Sequence, residues 1–140
     1  MKLPSAFFCG VRVKAADENK CIVTVPFKWF NQNPFKSTYF ACLSMAGEMS
    51  TGILGLAHIY KRQPSVSMLV VNISGNFFKK AVGKTTFICN DGFLIRQAIE
   101  SAIASGEGKT VVCKSTGTNA AGEVVAEFLV TWSFKAKKLV

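Results

Sequence analysis

The sequence predicts a single α+β domain in which one antiparallel β-sheet wraps a long, buried helix. Two patterns carry that expectation. Residues 37 to about 60 are apolar on nearly every side, with Tyr39, Phe40, Leu43, Met45, Met49, Ile53, Leu54, Leu56 and Ile59 spread around the helical turn. A helix without a polar face is buried on most sides. Residues 124–134 instead alternate: Val124, Ala126, Phe128, Val130, Trp132 and Phe134 face one way, and Glu123, Glu127, Thr131 and Ser133 the other. That is the pattern of a half-buried antiparallel strand. Length adds a third constraint, because residues 1–140 are enough for one domain. A chain of this size reduces its surface from about 22,000 Å² unfolded to roughly 7,000 Å² folded, which permits a core without staples.

The elements follow in order. Residues 7–14 and 21–27 read as a hairpin around the polar turn at residues 15–20. Residues 29–36 form a loop, in which Pro34 holds Asn33 extended. Ser37 or Thr38 is placed to cap the long helix. Strands follow at residues 66–78, 84–90 and 109–115. Between the last two, residues 93–105 form a short amphipathic helix with Leu94, Ile95, Ala98, Ile99, Ala102 and Ile103 on one side, ended by Gly106. A turn with Gly117 and Gly122 leads into the final strand.

Hydrophobic residues make up 49% and charged residues 18%, which excludes intrinsic disorder. The long helix carries Ser44, Glu48, Ser50, Thr51 and three glycines, which argues against a membrane span. Residues 1–5 lead into no long apolar region or small-residue cleavage site, so the cytoplasm is the expected compartment. The five cysteines, Cys9, Cys21, Cys42, Cys89 and Cys113, are odd in number and at least ten residues apart. They read as reduced packing residues rather than a disulfide framework or metal site. The net charge of +9 suits an anionic partner. Only Arg12, Arg62 and Arg96 are Arg among 17 basic residues, and the lysines are dispersed, which argues against base-specific nucleic-acid binding.

One residue breaks the pattern. Between Asn19 and Asn90 the sole carboxylate is Glu48, in the middle of the apolar helix. A buried carboxylate costs several kcal/mol or a raised pKa unless it is compensated. Two readings stand: a structural one, in which a hydroxyl or Lys satisfies Glu48, and a catalytic one. The stripe Ser44, Gly47, Glu48, Thr51, Gly52 and Gly55 would let another backbone or a narrow ligand approach. The lone His58, near a helix end, reads as a capping or surface residue. No triad, phosphate loop or metal set can be assembled.

The segment Asn33-Pro34-Phe35-Lys36-Ser37-Thr38-Tyr39-Phe40-Ala41, followed by Glu48, resembles the hotdog-fold acyl-CoA thioesterases. In their phenylacetate-type branch an Asn precedes a His-Gly-Gly helix start, and an acid follows on the same helix. Asn72 through Gly83-Lys84, then Gly108-Lys109-Thr110 and Gly122 to Ala126, continue the likeness. Tyr39, Phe40 and Ala41 replace His-Gly-Gly, Glu replaces Asp, and helix 93–105 is an insertion. Those departures resemble the superfamily branch known as a domain of unknown function with thioesterase candidates.

The resemblance implies a hotdog homodimer, or a dimer of dimers, with shared sites. Its substrate would be an acyl thioester on coenzyme A or an acyl carrier protein, with no cofactor beyond the coenzyme A of the substrate. Backbone amides of Phe40 or Ala41 would hold the oxyanion, and Glu48 would be general base or nucleophile. Asn33 would orient water or the thioester, Tyr39 could donate a hydrogen bond, and Thr51 is a second polar candidate. Lys79, Lys80 and Lys84 would meet phosphates, or form a solvated loop. Phe40 and Glu48 stand about 12 Å apart along the helix axis. One carbonyl can therefore meet both kinds of group only across an antiparallel pair of protomers. The missing His-Gly-Gly leaves an alternative: a non-catalytic acyl- or CoA-binding dimer. A hotdog dehydratase ranks last, since His58 is poorly placed to pair with an acid.

Overall fold

The computed structural model describes residues 3–138. Six strands form one antiparallel sheet: β1 (Arg12–Ala16), β2 (Cys21–Val25), β3 (Val66–Phe77), β4 (Thr85–Cys89), β5 (Lys109–Thr118) and β6 (Val124–Ala136). Their order is β1-β2-β4-β5-β6-β3, so β1 and β3 are the two edges. The long helix α2 (Phe40–Ile59) lies against the sheet, and α3 (Gly92–Ser105) packs on β5, β6 and α2. This is the α+β hotdog arrangement. By length and hydropathy alone α2 could cross a membrane, but here 56% of its apolar window is buried in the core it organises.

From Ala126 onward the β6 alternation appears as predicted; Val124, expected to face inward, is exposed and Val125 is buried instead, where the pairing with β5 shifts register. Ala126, Phe128, Val130, Trp132, Phe134 and Ala136 are all buried on the face toward α2. The small residues of α2 are where that face comes closest. A Cβ at Gly47 would stand 2.5 Å from the Phe128 ring, and one at Gly75 of β3 would stand 2.5 Å from its other edge. Phe128 is thus held between two positions that admit only glycine without repacking. At Gly52 the neighbour is Trp132, and at Gly55 it is Met68. The stripe of small residues therefore serves helix-on-sheet packing. Gly106 ends α3 in the left-handed conformation, φ 71°, as the sequence suggests.

Four local expectations are corrected. Residues 7–14 are not one strand, because Pro4 opens a short helix α1 (Pro4–Phe8), and β1 begins only after Gly10, at φ 80°. The first hairpin's turn is tighter than residues 15–20: Asp17 Oδ1 accepts the N–H groups of Asn19 and Lys20, both at 2.8 Å. The predicted loop contains a single 3₁₀ turn at Trp29–Asn31. Neither Ser37 nor Thr38 caps α2. Thr38 donates through both its N–H and its Oγ1 to Ala81 O, and Ser37 Oγ donates to Asn33 Oδ1, so α2 starts without a side-chain cap.

Candidate active site

Two of the clefts along α2 hold candidate residues. The first, about 400 Å³, lies at the start of the helix and is lined by Asn33, Ser37, Thr38, Phe40, Lys79 and Lys80 among others. The approach to the helix is held by Asn31, which is 1% exposed. Its Oδ1 accepts Lys28 N–H, its Nδ2 donates to Cys9 O and Pro26 O, and its backbone O accepts Tyr39 N–H at 2.7 Å. Asn31 is thus a positioning residue that no spacing in the sequence announces. Asn33 folds back on its own loop: its Oδ1 accepts Phe35 N–H, Ser37 N–H and Ser37 Oγ. Among the described residues its Nδ2 has no acceptor, which leaves two donors for the cleft.

The N–H groups of Phe40 and Ala41 likewise meet no acceptor among the described residues, because the first turn of a helix lacks preceding carbonyls. These donors sit at the positive end of the α2 dipole. The Phe40 ring lines the same cleft, edge-on to Tyr39 at 4.9 Å and to Phe77 at 6.4 Å between centroids. Both Tyr39 and Phe40 remain largely exposed. Lys79 and Lys80 reach the same cleft, although Lys79 is ion-paired with Glu123. Lys84 is exposed and does not line the cleft.

Glu48 belongs to a second cleft of about 240 Å³. Its neighbours there include Met49, Ile53, Leu56, Met68 and Trp132, all apolar in character, and Leu3 of the N-terminal segment. No described residue hydrogen-bonds or ion-pairs with the Glu48 carboxylate. Burial alone pushes its pKa up from the ordinary carboxylate range. Among the described residues, therefore, none supplies the hydroxyl or Lys that a structural reading requires.

Thr51 sits close in sequence but not in the cleft. It is 0% exposed. Its Oγ1 donates to Glu48 O and accepts the Trp132 indole N–H, both at 2.8 Å. Its hydroxyl is committed to the core and does not face a substrate. Thr51→Val should therefore destabilise the fold by about 1–3 kcal/mol by orphaning the indole N–H. Any catalytic rate per folded molecule should stay unchanged, which denaturation and kinetics together would check. His58 lies in the last turn of α2, its Nε2 2.8 Å from Glu18 O, away from both clefts. Among the described residues no three His, Cys, Asp or Glu side chains converge as a metal would need.

The structure thus gathers Asn33, the Phe40 and Ala41 amides, Tyr39, Lys79 and Lys80 at one end of α2. It leaves Glu48 alone farther along. Of the residues closing the Glu48 cleft, Trp132 was visible in the sequence only as a strand residue with inward phase and Met68 only as part of a predicted strand.

No protein-family profile and no curated protein matches the chain. Solved structures do. A protein of unknown function from Pseudomonas aeruginosa, described as a probable thioesterase, superposes with a TM-score of 0.85 at 21% identity over 96% of this chain and 89% of its own. A thioesterase candidate from Shewanella oneidensis gives 0.78 at 10% identity, covering 96% and 90%. A mutant thioesterase, also from Pseudomonas aeruginosa, gives 0.73 at 13% identity, covering 95% and 86%. At these identities the likeness speaks for the fold: this chain has the hotdog architecture on which those thioesterase-named proteins are built.

Proposed function

We propose that the protein is a thioester hydrolase acting on acyl-CoA or acyl-carrier thioesters as a homodimer, with Glu48 as general base or nucleophile. The observation that carries the reading is Glu48 itself, a carboxylate with no partner among the described residues in an otherwise apolar cleft on the central helix. A half-buried acid with a raised pKa fits a group held ready for proton transfer or attack.

The edge strand supports the dimer. Strand β3 pairs with β6 on one side only. It exposes Leu69 at 66% and also Val71, Ile73 and Phe77. Its sequence, VSMLVVNISGNF, contains no charge and no Pro to block another strand. The accessible surface, 8208 Å², also exceeds the roughly 7,000 Å² of a compact monomer this size. Met68 borders the Glu48 cleft, whereas Phe77 borders the cleft at the helix start. Two β3 strands paired antiparallel about a centre between Asn72 and Ile73 would set Met68 of each against Phe77 of the other. Each Glu48 cleft would then face the partner's helix start, which resolves the separation along α2.

In that site the acyl group lies along Met49, Ile53 and Leu56, and the carbonyl oxygen accepts from the amides of Phe40 and Ala41. Glu48 from the other protomer takes a proton from water as the water oxygen attacks the carbonyl carbon. The C–S bond then breaks, the proton held by Glu48 passes to the departing sulfur, and the coenzyme thiol and the carboxylic acid are released. Asn33 Nδ2 donates to the water or the thioester. Lys80, and Lys79 once freed from Glu123, attract the phosphates. The test is loss of thioester absorbance across short, medium, long and aromatic acyl-CoAs. Turnover of at least one class is expected. Tight binding of acyl-CoA without turnover would favour the alternative reading, an acyl- or CoA-binding dimer, to which the Tyr39 and Phe40 rings at the helix start lend support.

A further inference from the structure

We propose that Cys9 and Cys42 form a peroxide-oxidisable dithiol, a modification site that ties the end of α1 to the first turn of α2. Their Sγ atoms lie 3.4 Å apart although 33 residues separate them in the chain. A disulfide needs the sulfurs about 2.05 Å apart, so closure requires a movement of a little over 1 Å. The segment that must move is a five-residue helix next to the chain terminus. Cys9 caps that helix, and Gly10 follows it with φ 80°.

Access separates this pair from the other thiols. Cys9 is half-buried, whereas Cys21, Cys89 and Cys113 are 0% exposed on β2, β4 and β5. Cys21 and Cys89 are direct cross-strand partners, but no solvent path reaches them. Oxidation therefore begins at Cys9. Its thiol loses a proton and its sulfur attacks one oxygen of hydrogen peroxide. The O–O bond breaks, one water is formed, and Cys9 becomes a sulfenic acid. Cys42 sulfur then attacks the Cys9 sulfur, its proton passes to the departing hydroxyl, and a second water leaves. Two thiols lose two electrons and two protons, and the peroxide takes up both. Burial, with Cys9 beside it, pushes the Cys42 thiol up to about 12, which argues against Cys42 as the first thiol to attack.

The link lands at a sensitive place. Cys42 N–H donates to Tyr39 O, directly beside the unpaired amides of Phe40 and Ala41. Cys9 O accepts from Asn31, which in turn holds Tyr39. A Cys9–Cys42 bond would close this circuit covalently and fix the helix start against α1.

The experiment is peroxide treatment of the full-length protein, then denaturation, alkylation with N-ethylmaleimide and mass spectrometry with peptide mapping. All five thiols should be alkylated before treatment and three after it. The linked peptides should carry Cys9 and Cys42, and dithiothreitol should restore all five adducts. The oxidised protein should melt about 5–10 °C higher, as expected for a loop of this length. Cys9→Ser, at a half-exposed position, should keep its four thiols alkylatable after peroxide, whereas Cys42→Ala should form no disulfide and lose only the Cys9 thiol, which stops at the sulfenic acid. Five alkylated thiols in treated wild type would overturn the proposal. So would a bond between other cysteines or between protomers, or loss of two thiols in Cys9→Ser. None of these readouts depends on hydrolytic activity.

Discussion

Glu48→Ala is expected to lower acyl-CoA hydrolysis by about 10²–10⁴-fold, the range for removing a general base, while the dimer persists. Glu48→Gln should be equally inactive, because the amide preserves shape but takes no proton. The pH dependence has a definite sign. Burial raises the Glu48 pKa, and the reacting form is the carboxylate. Activity should therefore rise with pH along a limb placed above the ordinary carboxylate range. Stability should move the other way. Between the unfolded and the raised folded pKa the native state holds more protons than the unfolded one, so stability falls as pH increases through that window. Glu48→Gln removes this loss and should be at least as stable as wild type on the alkaline side of the limb. An acid kept at a cost to stability is the mark of a functional group. Chemical denaturation at two pH values, run beside the kinetics, would show whether the two effects share one limb.

The second large effect is expected at the β3 edge. Leu69 and Ile73 are exposed on a strand without any charge. In an antiparallel β3 pair Ile73 lies near the two-fold axis, so Leu69→Lys with Ile73→Lys would bring like charges together across it. The double variant should sediment as a monomer, keep its far-ultraviolet circular dichroism, and lose hydrolysis at least as fully as Glu48→Ala. A monomer with the wild-type rate would show that one chain completes its own site. An intact dimer would show that protomers meet elsewhere.

How much of this was legible in the sequence depended on the length of each pattern. The alternation over residues 126–134 revealed β6 and the inward phase of Phe128 and Trp132. A long, mostly apolar run without a polar face revealed α2 as the core helix. Helix α1 was hidden, since five residues cannot display a helical period and Phe7-Phe8 reads as well in a strand. Ser37 and Thr38 have the chemistry of caps, but Asn33 and Ala81 compete for their hydroxyls and win. At the candidate site Glu48 stood out because a single acid in an apolar run is visible one-dimensionally. Thr51 looked equally available, and only the indole of Trp132, 81 residues away, shows its hydroxyl to be spoken for. The meeting of Cys9 with Cys42 lies beyond any spacing rule, because it arises from how α1 packs on α2.

The central claim is that Glu48 drives thioester hydrolysis. The most direct measurement is the loss of thioester absorbance for an acyl-CoA panel with wild type beside Glu48→Gln, both confirmed as folded dimers. Following absorbance rather than released thiol avoids interference from the five protein cysteines. The account predicts turnover of at least one acyl class by wild type and about 10²-fold or greater loss in the variant. Equal rates for the two proteins, or no turnover of any substrate by wild type, would contradict it.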